Sequence, residues 1–139
     1  MFKHIMVPVD LAHEGQLDRA LKVAADLAGH YGARVTYVGV TTPQPSSVAH
    51  TPQEFAEKLA RFAAAQGETL GVAEPGSHPI VSHDPTIDLD KTLVDAVDEL
   101  GADLVVMGSH IPRHFELRNH GAHLAQLTHH SVMLVRDET

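Results

Sequence analysis

The sequence of 139 residues contains no cysteine. It therefore has no disulfide framework, no thiolate nucleophile and no thiolate-bound iron–sulfur cluster, a composition that fits a reducing compartment. It also has no apolar run close to the roughly 20 residues that span a bilayer. The opening segment, Met1 to Ile5, leads into a strand pattern and not into a signal peptide. These absences predict a cytoplasmic protein without membrane insertion.

Positive charge is scarce as well. Ten lysines and arginines stand against 18 acidic residues, which gives a formal net charge of −8 with neutral histidines. Nucleic acids and anionic membranes attract clustered basic side chains, so we expect no nucleic-acid partner. Twelve histidines are an unusual number for this length. Because imidazoles gain charge together on mild acidification, they raise the hypothesis of a pH-sensing surface.

Motifs for catalysis are missing. The sequence has no phosphate loop ending in Gly-Lys-Ser/Thr and no Gly-x-Ser-x-Gly elbow. A phosphorylated receiver domain, the main rival architecture, needs clustered acidic residues at strand ends, and only Asp10 fits that scheme. His120 and His123 are spaced to share a helix face, but no standard zinc pattern matches them. We predict neither an enzyme nor a metal site.

Short β-branched runs alternate with longer amphipathic stretches, which is typical of repeated strand–helix units around a parallel sheet. The second helix has a clear start signal, with Thr51 as N-cap, Pro52 at the first helical position and Glu54 in the capping-box position. The length fits one domain over residues 1–139. The predicted elements are the strands Ile5–Val9, Ala33–Val40, Pro79–His83, Leu104–Met107 and Val132–Val135, and the helices Gln16–Tyr31, the one begun at Thr51, Asp88–Leu100 and Gly121–His130.

Right-handed crossovers make such a chain a doubly wound, flavodoxin-like α/β sheet, and we predict the strand order 3-2-1-4-5 with four helices. Ligands of open sheets bind at the carboxyl ends of the strands where the winding reverses, here between the first and fourth strands. Asp10 follows the first strand and Gly108 follows the fourth, so both face one crevice. Alternatively, Asp10 caps a helix or turn and Gly108 forms a strand-to-loop turn.

Three segments resemble the universal stress protein family: Lys3–Asp10, Gly101–His110 and Ser131–Arg136. The similarity extends over essentially the whole chain. It implies a three-layer sandwich of the flavodoxin-like or adenine nucleotide alpha hydrolase-like type, with an adenine-nucleotide site. The residues that the resemblance places at this site are Pro8, Val9, Asp10, Val40, Met107, Gly108, Ser109, His110, Gly121 and Ala122.

The phosphate-binding segment departs from the family pattern of Gly, two residues, Gly, nine residues and Gly-Ser or Gly-Thr. Gly108 and Gly121 match, but Ile111 replaces the middle glycine and Ala122 replaces the hydroxyl residue. Isoleucine disfavours positive φ, and its side chain would project into the space for phosphate. A lost hydroxyl removes a hydrogen bond worth about 0.5–1.5 kcal/mol. We therefore predict that ATP binding is weak or lost.

The resemblance implies a stress-response protein that acts through binding and protein interaction, with a protein partner that the sequence does not identify and no required cofactor. The alternative is an adenine-nucleotide sensor for ATP or AMP, since the single phosphate of AMP needs fewer contacts from the loop. Family members commonly pair through the last strand. Val132–Val135 would be an exposed apolar edge in a monomer, so we expect a homodimer through this strand.

Overall fold

A computed structural model of the chain describes residues 1–109, 124, 126 and 128–136, without the side chains of residues 85–88 and 109. Within these residues, five parallel strands form one sheet of order β3-β2-β1-β4-β5, which confirms the predicted order. The elements are β1 (His4–Pro8), a 3-10 helix (Leu11–Gln16), α1 (Asp18–Tyr31), β2 (Arg34–Thr41), α2 (Pro52–Leu70), β3 (Pro75–Val81), α3 (Pro85–Leu100), β4 (Leu104–Ser109) and β5 (Ser131–Arg136).

Helices cover the sheet on both faces. The connections β1 to β2 and β2 to β3 run in one direction across the sheet, so their right-handed crossovers place α1 and α2 on the same face. The connection β3 to β4 reverses direction and places α3 on the other face, where Leu124 also packs. Side chains alternate along each strand. In β1, for example, Ile5 and Val7 enter the core under α1 and α2, and Met6 enters the core under α3.

The helix termini follow their sequence signals. Thr51 Oγ1 accepts a hydrogen bond from the Glu54 N–H at 3.0 Å, which confirms the predicted N-cap of α2. The helices α1, α2 and α3 end at glycines with φ of 67°, 76° and 66°, a left-handed conformation that side chains with a Cβ disfavour. These glycines are Gly32, Gly71 and Gly101. None of the helices described above has both the length and the apolar content required to cross a bilayer.

Glycine also permits a close contact between β2 and α2. A Cβ added to Gly39 would lie 2.8 Å from Cζ of Phe55 and 3.3 Å from Cδ2 of Leu59. Both of these α2 side chains are buried. Because packed interiors accommodate extra methyl groups poorly, the absence of a side chain at this position sets the distance between the helix and the sheet.

Several element boundaries differ from the predicted ones. The strand β3 spans Pro75–Val81 and not the predicted Pro79–His83, and it lies at the edge of the sheet with half-buried and exposed residues. The helix α3 begins at Pro85, three residues before the predicted start. The strand β4 continues to Ser109, and Gly108 is paired with Val135 inside it. The prediction that β4 ends at Met107, and the alternative that Gly108 is a turn, are therefore wrong.

The two helices next to the cleft also differ in detail. The predicted helix Gln16–Tyr31 is α1 from Asp18, preceded by the 3-10 helix. Of the predicted helix Gly121–His130, Leu124 and Gln126 are helical, and the Thr128 N–H donates to the Leu124 carbonyl at 3.0 Å. His130 lies outside the helix, in the bend that precedes β5. The other residues of this segment, up to residue 127, are not among those described.

A buried histidine lies near the amino end of β1. The side chain of His4 is almost fully buried, at 5% exposure, and its Nε2 is 2.7 Å from Oγ1 of Thr36. Among the residues that the structure describes, no group meets full hydrogen-bond geometry with its Nδ1. Burial lowers the pKa of His4, and the nearby charge of Arg34 lowers it further, against smaller opposing effects of the Leu100 carbonyl and the Asp103 carboxylate. The folded protein therefore favours neutral His4.

We expect this histidine to make the protein less stable in acid. Below the ordinary histidine pKa of about 6.5, the unfolded chain takes up a proton at His4 that the folded chain resists, so the free energy of unfolding falls. Urea unfolding at pH 7.5 and 5.5 should show a smaller loss of stability for His4→Gln than for the wild type. Replacement of the exposed His83 by glutamine is the control, and it should leave the loss unchanged. An equal loss in His4→Gln would contradict the assignment.

Candidate functional site

The winding of the sheet reverses between β1 and β4. These strands are neighbours, with Ile5 opposite Leu104 and Met6 opposite Val105, although about 100 residues separate them in the sequence. Extending this register places the segment after β1 beside the end of β4. Crevices at such positions are the usual ligand sites of open parallel sheets. We define the cleft as the space at the carboxyl ends of β1 and β4.

Asp10 lies at this edge and caps the 3-10 helix. Its Oδ1 accepts a hydrogen bond from the Ala12 N–H at 3.0 Å, and its Oδ2 is 2.9 Å from Nδ1 of His13. The side chain remains 64% exposed. The capping interpretation of Asp10 is therefore correct, but it does not exclude binding. A carboxylate oxygen has two lone pairs, so each oxygen can accept a further hydrogen bond.

The apolar residues that the resemblance assigns to the site divide between the two faces of the sheet. Val9 is buried in the core under α1 and α2, and its N–H donates to the Val38 carbonyl at 2.8 Å. Met107 is buried in the core under α3, and the partly buried Val40 packs against the same core. Pro8, the last residue of β1, is half-buried. Each of these residues thus lies at or next to the carboxyl end of β1, β2 or β4.

Gly108 faces the start of α1. A Cβ added to it would lie 3.7 Å from Cδ2 of Leu17 and 3.8 Å from Cβ of Ala20, which are ordinary contact distances. Its φ is not among the positive glycine angles. The described part of the fold therefore leaves room for a Cβ at this position.

The phosphate-binding part of the predicted site falls on residues that the structure does not describe. The predictions for these residues, including the steric effect of the isoleucine and the lost hydroxyl, stay predictions. Within the described ranges, no three histidine or acidic side chains lie close enough together to hold a metal ion. The predicted site residues outside the description are the side chain of Ser109 and the whole of His110, Gly121 and Ala122, together with Ile111, His120 and His123.

A groove that the sequence does not reveal lies beside the cleft. It has a volume of about 1090 Å³ and runs between the 3-10 helix, the first half of α1 and one side of α2. Leu11, Ala12 and Glu14 form one wall, and Lys58 and Phe62 lie on the wall from α2. The 3-10 helix capped by Asp10 therefore forms one wall of the groove. The lining residues belong to segments about 50 residues apart, so no local pattern indicates this groove.

Comparison with solved structures finds the same fold across almost the whole chain. A universal stress protein in complex with cAMP is 20% identical, with 99% of each chain covered and a TM-score of 0.72. One from Archaeoglobus fulgidus in complex with dAMP is 21% identical, with 95% of this chain and 96% of that chain covered and a TM-score of 0.68. One from Arabidopsis thaliana with AMP bound is 16% identical, with coverages of 99% and 93% and a TM-score of 0.63.

No curated protein matches the sequence significantly. The family model, in contrast, covers nearly all of it: the universal stress protein family model matches residues 1–136. This match includes the three segments on which the resemblance was based, and the strand order agrees with the solved structures. The chain belongs to the universal stress protein family.

Proposed function

We propose that this protein is a cytoplasmic stress-response protein that acts by binding and not by catalysis, and that its cleft binds AMP more tightly than ATP. The observation that carries the proposal is the position of Asp10 beside the end of β4, at the point where the winding reverses. The three solved relatives hold cAMP, dAMP and AMP, each with a single phosphate. They favour a site that keeps a nucleotide over complete loss of nucleotide binding.

The two ends of a nucleotide meet different parts of this chain. The nucleoside end would meet Asp10, Val40 and Met107, which match the pattern of the family. An exposed carboxylate can accept hydrogen bonds from ribose hydroxyls, and the apolar side chains suit a base. The phosphate end would meet Ile111 and Ala122, which depart from the pattern. A monophosphate loses fewer contacts there than a triphosphate does, and this difference is the reason for the predicted preference.

Isothermal titration with AMP and with ATP tests this proposal. We expect AMP to bind at least about tenfold more tightly than ATP, a difference of about 1.4 kcal/mol. Asp10→Ala should weaken AMP binding about tenfold, because a hydrogen bond to a charged group is worth about 1.5–3 kcal/mol. The control is Asp26→Ala, which removes an exposed carboxylate from α1, away from the cleft.

The outcomes separate the alternatives. If neither nucleotide binds, the protein works as an interaction protein without a nucleotide, and the proposal for the cleft fails. If ATP binds more tightly than AMP, the steric argument at Ile111 is wrong. If Asp26→Ala weakens AMP binding as much as Asp10→Ala, the ligand does not occupy the cleft at the end of β1.

We also propose that the protein forms a homodimer through β5. The two edges of the sheet differ in their capacity to pair. The edge strand β3 contains Pro75 and Pro79, which lack an N–H group, whereas β5 contains no proline. Met133 of β5 is 39% exposed. Within the described part of the chain, β5 lies at the edge of the sheet. An apolar edge strand is a liability in a monomer, and antiparallel pairing with a second copy across a two-fold axis removes it.

A further inference from the structure

The carboxylate of the cleft is held by a side chain that the family resemblance does not single out. His13 contacts Asp10 twice. Its Nδ1 is 2.9 Å from Oδ2 of Asp10, and its backbone N–H donates to the Asp10 carbonyl at 3.0 Å. The backbone of His13 is non-helical, with φ of −135° and ψ of 47°, although it lies within the 3-10 helix. This local departure accompanies the side-chain contact between the two residues.

The contact defines which imidazole nitrogen carries a hydrogen. An ionised carboxylate only accepts hydrogen bonds, so Nδ1 of His13 has to be the donor to Oδ2 of Asp10. Oδ1 is held by the N–H of Ala12 at 3.0 Å. Both oxygens of an otherwise exposed side chain are therefore fixed by groups of its own loop. Among the residues that the structure describes, no other group is recorded on these oxygens, and each has a further lone pair with which to accept a hydrogen bond from a ligand.

Fixing a binding group before the ligand arrives improves affinity. An exposed aspartate that rotates freely loses that freedom when it orders around a ligand, and the affinity falls by this cost. An aspartate already held by two donors loses much less. We infer that His13 is a positioning residue for nucleotide binding, which holds the carboxylate of Asp10 in the orientation that accepts hydrogen bonds from the ribose hydroxyls. The inference rests on the proposed function, because it concerns the same cleft.

The main competing interpretation is that His13 only stabilises the 3-10 helix. Two substitutions distinguish the roles. Asparagine carries an N–H donor at about the position of Nδ1, so His13→Asn keeps the contact with Asp10, whereas His13→Ala removes it. Both side chains of this pair are more than half exposed, so neither substitution is expected to alter the thermal midpoint much. A purely structural role would appear in that midpoint.

The experiment is isothermal titration with AMP, combined with a double-mutant cycle. We expect His13→Ala to weaken binding about fivefold, because a carboxylate that is no longer held has to be ordered when the ligand binds, and we expect His13→Asn to stay within about twofold of the wild type. In the Asp10→Ala background, His13→Ala should have no further effect, because the group that it positions is absent. The matched control is His50→Ala, since His50 is another exposed histidine, 3.4 Å from the carboxylate of Glu54, and should not affect binding.

The titrations either support or overturn the positioning role of His13. The inference is overturned if the wild type binds AMP and His13→Ala binds it equally well, or if His13→Ala weakens binding to the same extent with and without Asp10. Equal losses for His13→Ala and His13→Asn also overturn it, since the donor would then be irrelevant. If the wild type binds neither AMP nor ATP, the proposed function fails first, and this inference fails with it.

Discussion

Replacing Ile111 by glycine and Ala122 by serine in one chain is expected to raise the affinity for ATP about 100-fold, or roughly 3 kcal/mol. Serine returns a hydroxyl donor for phosphate, which contributes about tenfold. Glycine removes a branched side chain and lets backbone N–H groups approach the phosphates, which contributes the rest. These are the two positions at which the chain departs from the pattern of the family's phosphate segment. Isothermal titration of the wild type, the two single variants and the double variant with ATP measures the gain.

AMP is the internal control for this experiment. Because it has a single phosphate, its affinity should change by less than about threefold in the double variant, so the preference shifts towards ATP. Ala73→Ser, at an exposed position after α2, is the matched control for an added hydroxyl and should leave both affinities unchanged. If the double variant is folded and still binds ATP no better than the wild type does, these two residues are not the cause of weak binding.

The fold was predictable because its determinants are local and repeated. Buried parallel strands such as β1 have nearly continuous apolar sequences, and their short length separates them from the longer amphipathic helices. Helix ends have equally direct signals: Gly32 and Gly101 occupy left-handed positions that other residues disfavour, and Thr51 caps α2 through its hydroxyl. Once the strands and helices are known, right-handed crossovers leave few strand orders. The observed order 3-2-1-4-5 is one of the few that these rules allow.

The boundaries that were wrong lie where local signals conflict with tertiary context. Pro75 and Gly76 disfavour strand structure by themselves, yet pairing with Val35 and Thr36 makes them the start of an edge strand. Gly108 resembles a turn residue, but pairing with Val135 keeps it in β4. Neither pairing is visible in a short window of sequence, because each partner comes from another segment.

The position of Asp10 was predictable to the same extent as the topology. Strand order alone places Asp10 in the cleft, and its alternative as a capping residue was also correct. The contact from His13 was not predictable, because it depends on a single non-helical residue within the 3-10 helix. The groove along α2 was not predictable from the sequence either, since it forms only when this helix packs beside the 3-10 helix.

Replacing Met133 by lysine is expected to convert the proposed homodimer into a monomer at micromolar concentration, with the dimer dissociation constant raised at least about 100-fold. In an antiparallel pair of β5 strands, residues near the two-fold axis meet their own copies, so the substitution brings like charges together. Natural proteins also commonly place lysine on edge strands, where it prevents pairing with a strand of another chain. Light scattering coupled to size-exclusion chromatography measures the change in mass.

The opposite edge of the sheet supplies the matched control. Val81 is the last residue of β3 and is 49% exposed, so Val81→Lys places the same charge on an edge of similar exposure. This variant should remain a dimer, because the prolines of β3 make that edge a poor pairing partner. A wild-type monomer at micromolar concentration would exclude dimerisation through either edge. If Val81→Lys abolishes the dimer and Met133→Lys does not, the interface lies at β3 and not at β5, since each substitution reports on its own edge.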